Sequence, residues 1–228
     1  MVKSSPWMDR LSLISSLVIV FGAVGWLWHT HALSVSLVQD NTLSWHLVRS
    51  GGITAYALMT ASMVWGLFIS SKVVKDWSPG VVSMLLHAAL SWLAVVFGIG
   101  HGMLLLADKY YTYQLSDILI PFTGPYRPLA VGLGVVSFWI TLVVTLSFSS
   151  RKRLGNHTWK TLHLSSYLAF GLATVHGLLA GTDADRLGFR LVMVVSVISV
   201  VSLLVYRTTK QTTRPKSHHR TTAPAVSD

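Results

Sequence analysis

Six stretches of nearly unbroken apolar character, residues 11–28, 51–71, 81–107, 129–149, 161–180 and 189–206, are separated by short polar connections. As helices rising about 1.5 Å per residue, such stretches cross a hydrocarbon core about 30 Å thick. The pattern predicts an all-α, polytopic membrane protein: a six-transmembrane-helix bundle over residues 1–207, then a basic, disordered cytoplasmic tail over 208–228. Turn residues place the boundaries. Asp40-Asn41-Thr42 reads as a turn, Arg49-Ser50-Gly51-Gly52 as the opening of the second helix, and Ser78-Pro79-Gly80 as a sharp break before the third. The longest connection, 108–128, carries Tyr110, Tyr111, Tyr113 and Tyr126, aromatic residues that suit the headgroup region. Lys3 and Arg10 ahead of the first stretch imitate a secretion signal. The bulky Trp26-Leu27-Trp28-His29 exit lacks a small-x-small cleavage pattern and favours a retained helix.

Composition sharpens the picture. The chain is 52% hydrophobic and 11% charged, too apolar for a soluble domain of 228 residues. The net charge of +10 does not point to nucleic acid, because the bases gather in the short segments between apolar runs. With both termini inside, thirteen of the 18 Lys and Arg residues fall on the inner side; only Arg49, Lys109, Arg127, Arg186 and Arg190 fall outside. The positive-inside rule therefore predicts a multi-pass protein of the cell membrane with both ends in the cytoplasm.

Four histidines carry the candidate chemistry. His87 and His101 lie fourteen residues apart in the third stretch, and His163 and His176 thirteen apart in the fifth. Within a helix these spacings separate two imidazoles by roughly 20 Å, one toward each side of the core. Ionisable groups there are costly and mark function, and neutral imidazole is a common axial ligand of haem iron. The third and fifth helices run in the same direction, so equal depths match His87 with His163 and His101 with His176. Zero cysteines exclude disulfides, iron–sulfur clusters and covalent c-type attachment, leaving two non-covalent b-type haems between helices 3 and 5 as the expected cofactors. Bis-histidine ligation fills both axial positions, which suits electron relay rather than direct substrate binding. Gly98, Gly100, Gly102 and Gly177 beside the outer pair would let a macrocycle approach, although glycine is also common where membrane helices pack. One geometric difficulty follows. Fourteen residues return to within about 40° of the starting face, whereas thirteen miss by about 140°, so the fifth helix must twist, bend or meet its two haems from different sides.

Anionic propionates need donors near the surface. Arg49 and Arg127 are the outer candidates, and Arg153, Lys160 and Trp159 the inner ones; each base also reads as solvated or lipid-bound. His29 and His31 sit at the outer exit of the first helix and read as interfacial, His46 and His157 as solvated, and Met84 and Met103 as packing residues. The Gly132-Leu-Gly134 run lies within a membrane segment and reads as packing. No Asp or Glu lies in the central portion of any span, which weakens a proton pathway.

The four histidines, Trp159-x-x-x-His163, His176-Gly-Leu-Leu-Ala-Gly-Thr-Asp183, Arg49-Ser-Gly-Gly52 and Ile120-Pro-Phe-Thr-Gly-Pro-Tyr-Arg127 together resemble the ferric reductase-like transmembrane domain family, over residues 45–207. The last two segments also look like those of its bacterial single-domain members, membrane haem modules related to NADPH oxidases and ferric reductases. The resemblance implies an oxidoreductase electron-transfer subunit that carries electrons through two stacked b haems, from a cytoplasmic flavoprotein or quinol to an extracytoplasmic redox acceptor. Larger members add an FAD- and NAD(P)H-binding portion. Here about twenty residues follow the last span, and no strand-turn-helix context holds a dinucleotide motif, so FAD and NAD(P)H are expected only through a partner. Two alternatives are a haem-binding membrane subunit of a methionine-sulfoxide reductase-type system and, in another class, a non-redox membrane transporter or assembly subunit.

Overall fold

The computed structural model describes residues 6–29, 43–108 and 110–212. The turn expected at residues 40–42, His31, Lys109 and the tail from 213 lie outside the described residues. Those described are all-helical, with no strand. Six helices are long and apolar enough to cross a membrane: α1 (Pro6–His29), α2 (Leu43–Ser71), α3 (Gly80–Leu104), α5 (Pro128–Ser147), α7 (Asn156–Ala180) and α8 (Leu187–Thr212). Two short helices, α4 (Leu115–Leu119) and α6 (Arg151–Leu154), sit in the connections. The chain is a multi-pass membrane protein.

Most boundaries follow local chemistry. Pro79, at φ −56° and ψ 135°, precedes α3, and the Ser78 hydroxyl meets that of Ser83 at 2.7 Å. Pro128 opens α5, where its missing N–H costs nothing. Gly155, at φ 77°, separates α6 from α7 in a backbone conformation that side chains resist. Two boundaries differ most from expectation. The second helix starts at Leu43, so Gly51 and Gly52 lie inside it, and the last helix continues through Thr212. The glycine pair does not open a helix because its missing side chains are used for packing, against His101.

Helices α2, α3, α5 and α7 surround the bundle interior in a ring, α2 against α3, α3 against α5, α5 against α7 and α7 against α2. The two histidine helices, α3 and α7, are diagonal partners and do not pack closely on each other. Outside the ring, α1 lies on α3 and α8 on α2. Small polar residues allow the close approaches, as in other membrane helix pairs. Ser16, fully buried, bonds back to the Ser12 carbonyl at 2.7 Å, and Ser137 Oγ donates to the Ala169 carbonyl at 2.7 Å across α5 and α7. A cluster of Tyr56, Met63, Leu67, Phe170, Met193 and Val200 joins α2, α7 and α8. The outward faces of α1 (Val18, Phe21) and α8 (Leu191, Val195, Ile198) are exposed and apolar, which suits lipid.

Candidate functional site

Across the interior, the His87 and His163 ring centres are 6.1 Å apart and those of His101 and His176 are 6.2 Å apart, with 72° between ring planes in both pairs. Equal depths are therefore matched, and α3 and α7 are parallel. Neither pair is joined by a direct hydrogen bond, and each pair stands alone: among the described residues no group of three or more His, Cys, Asp or Glu could hold a metal ion.

Each ring on α3 is seated on α2 in the same way. His87 Nδ1 donates to the Ser62 carbonyl at 3.0 Å, with the Ser62 hydroxyl at 3.2 Å, and His101 Nδ1 donates to the Val48 carbonyl at 2.8 Å. A glycine follows four residues after each of these carbonyls. A Cβ at Gly66 would come within 3.0 Å of the His87 ring, and one at Gly52 within 2.9 Å of His101. The fourteen residues between Gly52 and Gly66 match the fourteen between the two histidines. On α5 the arrangement recurs once. His176 Nδ1 donates to the Ala130 carbonyl at 2.8 Å, and a Cβ at Gly134 would stand 2.7 Å from that ring. His163 has no such seat. It stacks on Trp159, one turn earlier, with centres 5.1 Å apart and 21° between planes, and Arg151 lies over Trp159 at 4.3 Å.

These contacts resolve the spacing of thirteen. Helix α7 runs uninterrupted, and its two imidazoles leave from different flanks, one leaning on α5 and the other on its own tryptophan. The glycines also sort differently from expectation. Gly98 and Gly102 face Phe138 and Ile118, Gly177 faces Met193, and Gly100 has nothing within 4 Å. The glycines that touch histidines are Gly51, Gly52, Gly66 and Gly134. Sequence reading passed over Gly66 and took Gly134 for ordinary packing; the available signal was a glycine on a neighbouring span repeating the histidine interval.

Around the outer pair lies a cavity of about 900 Å³, lined among others by Trp45, Gly52, Tyr56, Gly98, His101 and His176. The Tyr-rich connection closes over it, contributing Tyr110, Tyr111, Tyr113 and Tyr126. Tyr113 is buried, and that burial, with the nearby Asp108 carboxylate, pushes its hydroxyl up to about 12. Arg49 also lines the cavity, but its guanidinium is engaged by Asp183, with Nε 2.5 Å from Oδ2, and lies over Trp45 at 3.9 Å. Asp183 in turn receives Arg186 at 2.9 Å. Arg127 lies beside the cavity wall, donating to the Leu179 carbonyl over the Tyr126 ring. At the opposite end Arg153 and Lys160 are exposed, while the buried Trp159 Nε1 has no hydrogen-bond partner among the described residues. His29, His46 and His157 are exposed; Met103 is 48% exposed and Met84 half-buried, and neither is among the ring contacts of the pairs.

The residues present fit a haem at each pair. A ligating imidazole nitrogen sits about 2 Å from its metal and about 1.2 Å from its ring centre, so two rings on opposite sides of one ion have centres about 6.4 Å apart. The measured separations meet that demand. A carbonyl can only accept, so Nδ1 of His87, His101 and His176 carries the proton and Nε2 keeps the lone pair a metal needs. Two protein ligands leave a bare tetrahedral ion unsatisfied but suffice for iron that brings four porphyrin nitrogens. The orphaned Trp159 Nε1 is a donor of the kind a propionate accepts from. No family model, no curated protein and no solved structure matches the chain.

Proposed function

We propose that the chain is a transmembrane electron-transfer protein of the ferric reductase-like kind, with one b-type haem held by His87 and His163 and a second by His101 and His176. The single observation that supports this most is the pair of ring separations, 6.1 and 6.2 Å, reached by helices that are themselves held apart. When bound, haem would supply one-electron exchange between ferric and ferrous iron, and two such groups held at two depths would connect the faces of the membrane.

The protein's own residues bind and orient. Ser62, Val48 and Ala130 fix the tautomer through their carbonyls, while Gly66, Gly52 and Gly134 give each ring its space. Trp159 offers its N–H at the inner edge, with Arg151 beside it. At the outer edge Arg49, held by Asp183 over Trp45, would be the cation facing an anionic substituent, and Arg127 anchors the end of α7. The apolar ring of helices excludes water from both seats. In the plasma membrane the basic end, with Lys72, Lys75, Arg151 and Arg207, faces the cytoplasm and a flavoprotein or quinol donor. The Tyr-rich end faces an extracytoplasmic acceptor.

The test is a reduced-minus-oxidised spectrum with haem quantification on the purified chain. The expected result is two low-spin haems per chain. His101→Ala or His176→Ala removes the outer haem, and His87→Ala or His163→Ala the inner. A colourless preparation, or variants that each keep both haems, overturns the reading and favours a non-redox membrane protein.

A further inference from the structure

The connection between α3 and α5 does not stay above the helix ends. It steps down beside α3 and climbs back along α5. Ile118 lies against Gly102 of α3, where an added Cβ would stand 3.0 Å from its side chain. The Leu119 carbonyl accepts from Trp139 Nε1 at 2.9 Å, and Trp139 is eleven residues past Pro128, the start of α5. At about 1.5 Å per residue that is about 16 Å along the span; the indole leans back toward the helix N-terminus, which leaves Leu119 roughly 10 Å in. From there the chain rises. Phe122 sits on Gly132, where a Cβ would collide with its ring, and Gly124 lies beside Val131.

Non-helical backbone is tolerated at membrane depth only where its polar groups are satisfied or covered by protein. This segment meets that demand at its lowest point. Ile120 N–H donates to the Ser116 carbonyl at 2.8 Å, the Thr123 hydroxyl donates to the Ile120 carbonyl at 2.9 Å, and Pro121 has no N–H to satisfy. Phe122 turns the chain at φ 72°, a conformation bulky residues resist, while its ring stays on Gly132. The two faces of the segment differ. Asp117, Ile118 and Leu119 line the cavity around His101 and His176. On the other side Leu119, Ile120, Phe122 and Trp139 are 43%, 52%, 48% and 39% exposed, and such a cluster of large side chains at this depth suits acyl chains rather than water. Gln114 and Ser116 keep the upper end of α4 polar.

We propose that residues 118–122 form a re-entrant wedge between α3 and α5, in the leaflet on the side of the His101–His176 pair, with one face walling the cavity and the other in contact with lipid acyl chains. Gly102 and Gly132 receive the wedge, and the Trp139 indole pairs the carbonyl at its tip. The wedge needs no haem and stands apart from the electron-transfer reading.

Single cysteines in the otherwise cysteine-free chain test it, each labelled with bimane and placed in vesicles of brominated or unbrominated phosphatidylcholine, so that any bound haem affects both measurements alike. Ile120→Cys is expected to be quenched by brominated chains, as Val195→Cys on the lipid-facing side of α8 is, and hardly by iodide. Tyr110→Cys, 73% exposed at the surface, shows the reverse. Iodide quenching at 120 equal to that at 110 overturns the wedge; so does a label shielded from both quenchers, because protein then covers the face. The expected pattern in a chain that carries no haem sinks the electron-transfer reading and leaves the wedge standing. Trp139→Phe strands the Leu119 carbonyl and Gly132→Ala expels the Phe122 ring, so each is expected to move the label at 120 toward iodide. Gly188→Ala, whose Cβ meets nothing within 4 Å, leaves it in place. A label unmoved by both substitutions overturns the anchoring assigned to Trp139 and Gly132.

Discussion

Gly66 has a role that an average helix glycine does not. Replacing a mid-helix glycine by alanine ordinarily stabilises by about 0.5–1 kcal/mol, because the backbone loses less entropy on ordering. At Gly171 that gain is expected, since the added methyl meets nothing. At Gly66 the methyl stands 3.0 Å from the His87 ring, tighter than van der Waals contact, so the sign should reverse. Thermal unfolding of the purified variants in detergent checks this: Gly171→Ala melts at or above the parent, and Gly66→Ala below it with less inner haem. Equal melting of the two would mean that the ring has room to move and the seat does not define it.

Two elements depend on single buried polar groups. Helix α1 is tied to the bundle by Asp9, 5% exposed, which accepts from Trp92 Nε1 at 2.7 Å and from the Ser149 hydroxyl. Removing it leaves the indole N–H without a partner, at a cost of about 1–3 kcal/mol. Asp9→Ala should therefore lower the melting temperature, and Asp9→Asn, which keeps an acceptor, should lower it less; haem per folded chain should not change, because Asp9 touches neither pair. The Tyr-rich connection depends on Tyr113 in the neutral form. Its folded value, about 12, lies above the ordinary 10.0, so neutral Tyr113 contributes stability that is complete below pH 10.0 and lost as pH rises toward about 12. Ultraviolet phenolate absorbance should accordingly show a late-titrating component that is lost in Tyr113→Phe. If Tyr113→Phe leaves the late part of the titration unchanged, the loop does not close over the cavity as described.

At the scale of the whole molecule, one end of the bundle gathers Arg10, Lys72, Lys75, Arg151, Lys152, Arg153 and Arg207, and the other pairs Arg49, Arg186 and Arg190 with Asp183 and Asp185. The proposed orientation can be read directly because the chain has no cysteine. In intact cells Ser116→Cys is expected to react with an impermeant thiol reagent and Lys75→Cys only after lysis; the opposite pattern reverses the topology. Under the proposed function, and with the basic end inside, an inside-negative potential would drive an electron outward by about 2.3 kcal/mol per 100 mV for a full crossing.

Hydropathy alone determined the six spans, because a chain cannot leave backbone groups unpaired in hydrocarbon and each apolar run has only the helix open to it. Direction of travel determined which histidines share a depth. The interval of fourteen on α3 was also legible, though its counterpart on α2 only acquires meaning once the two helices are seen side by side. Tertiary structure decided the rest. Gly51 and Gly52 read as a helix opening because local propensity cannot register an imidazole arriving from another span. The thirteen-residue interval on α7 read as a difficulty because periodicity describes one helix, whereas His176 is seated by α5 and His163 by Trp159. Arg49 and Asp183, 134 residues apart, meet only through the fold. Spacing along a chain fixes height in a membrane; which neighbour receives each side chain is fixed by how the helices pack.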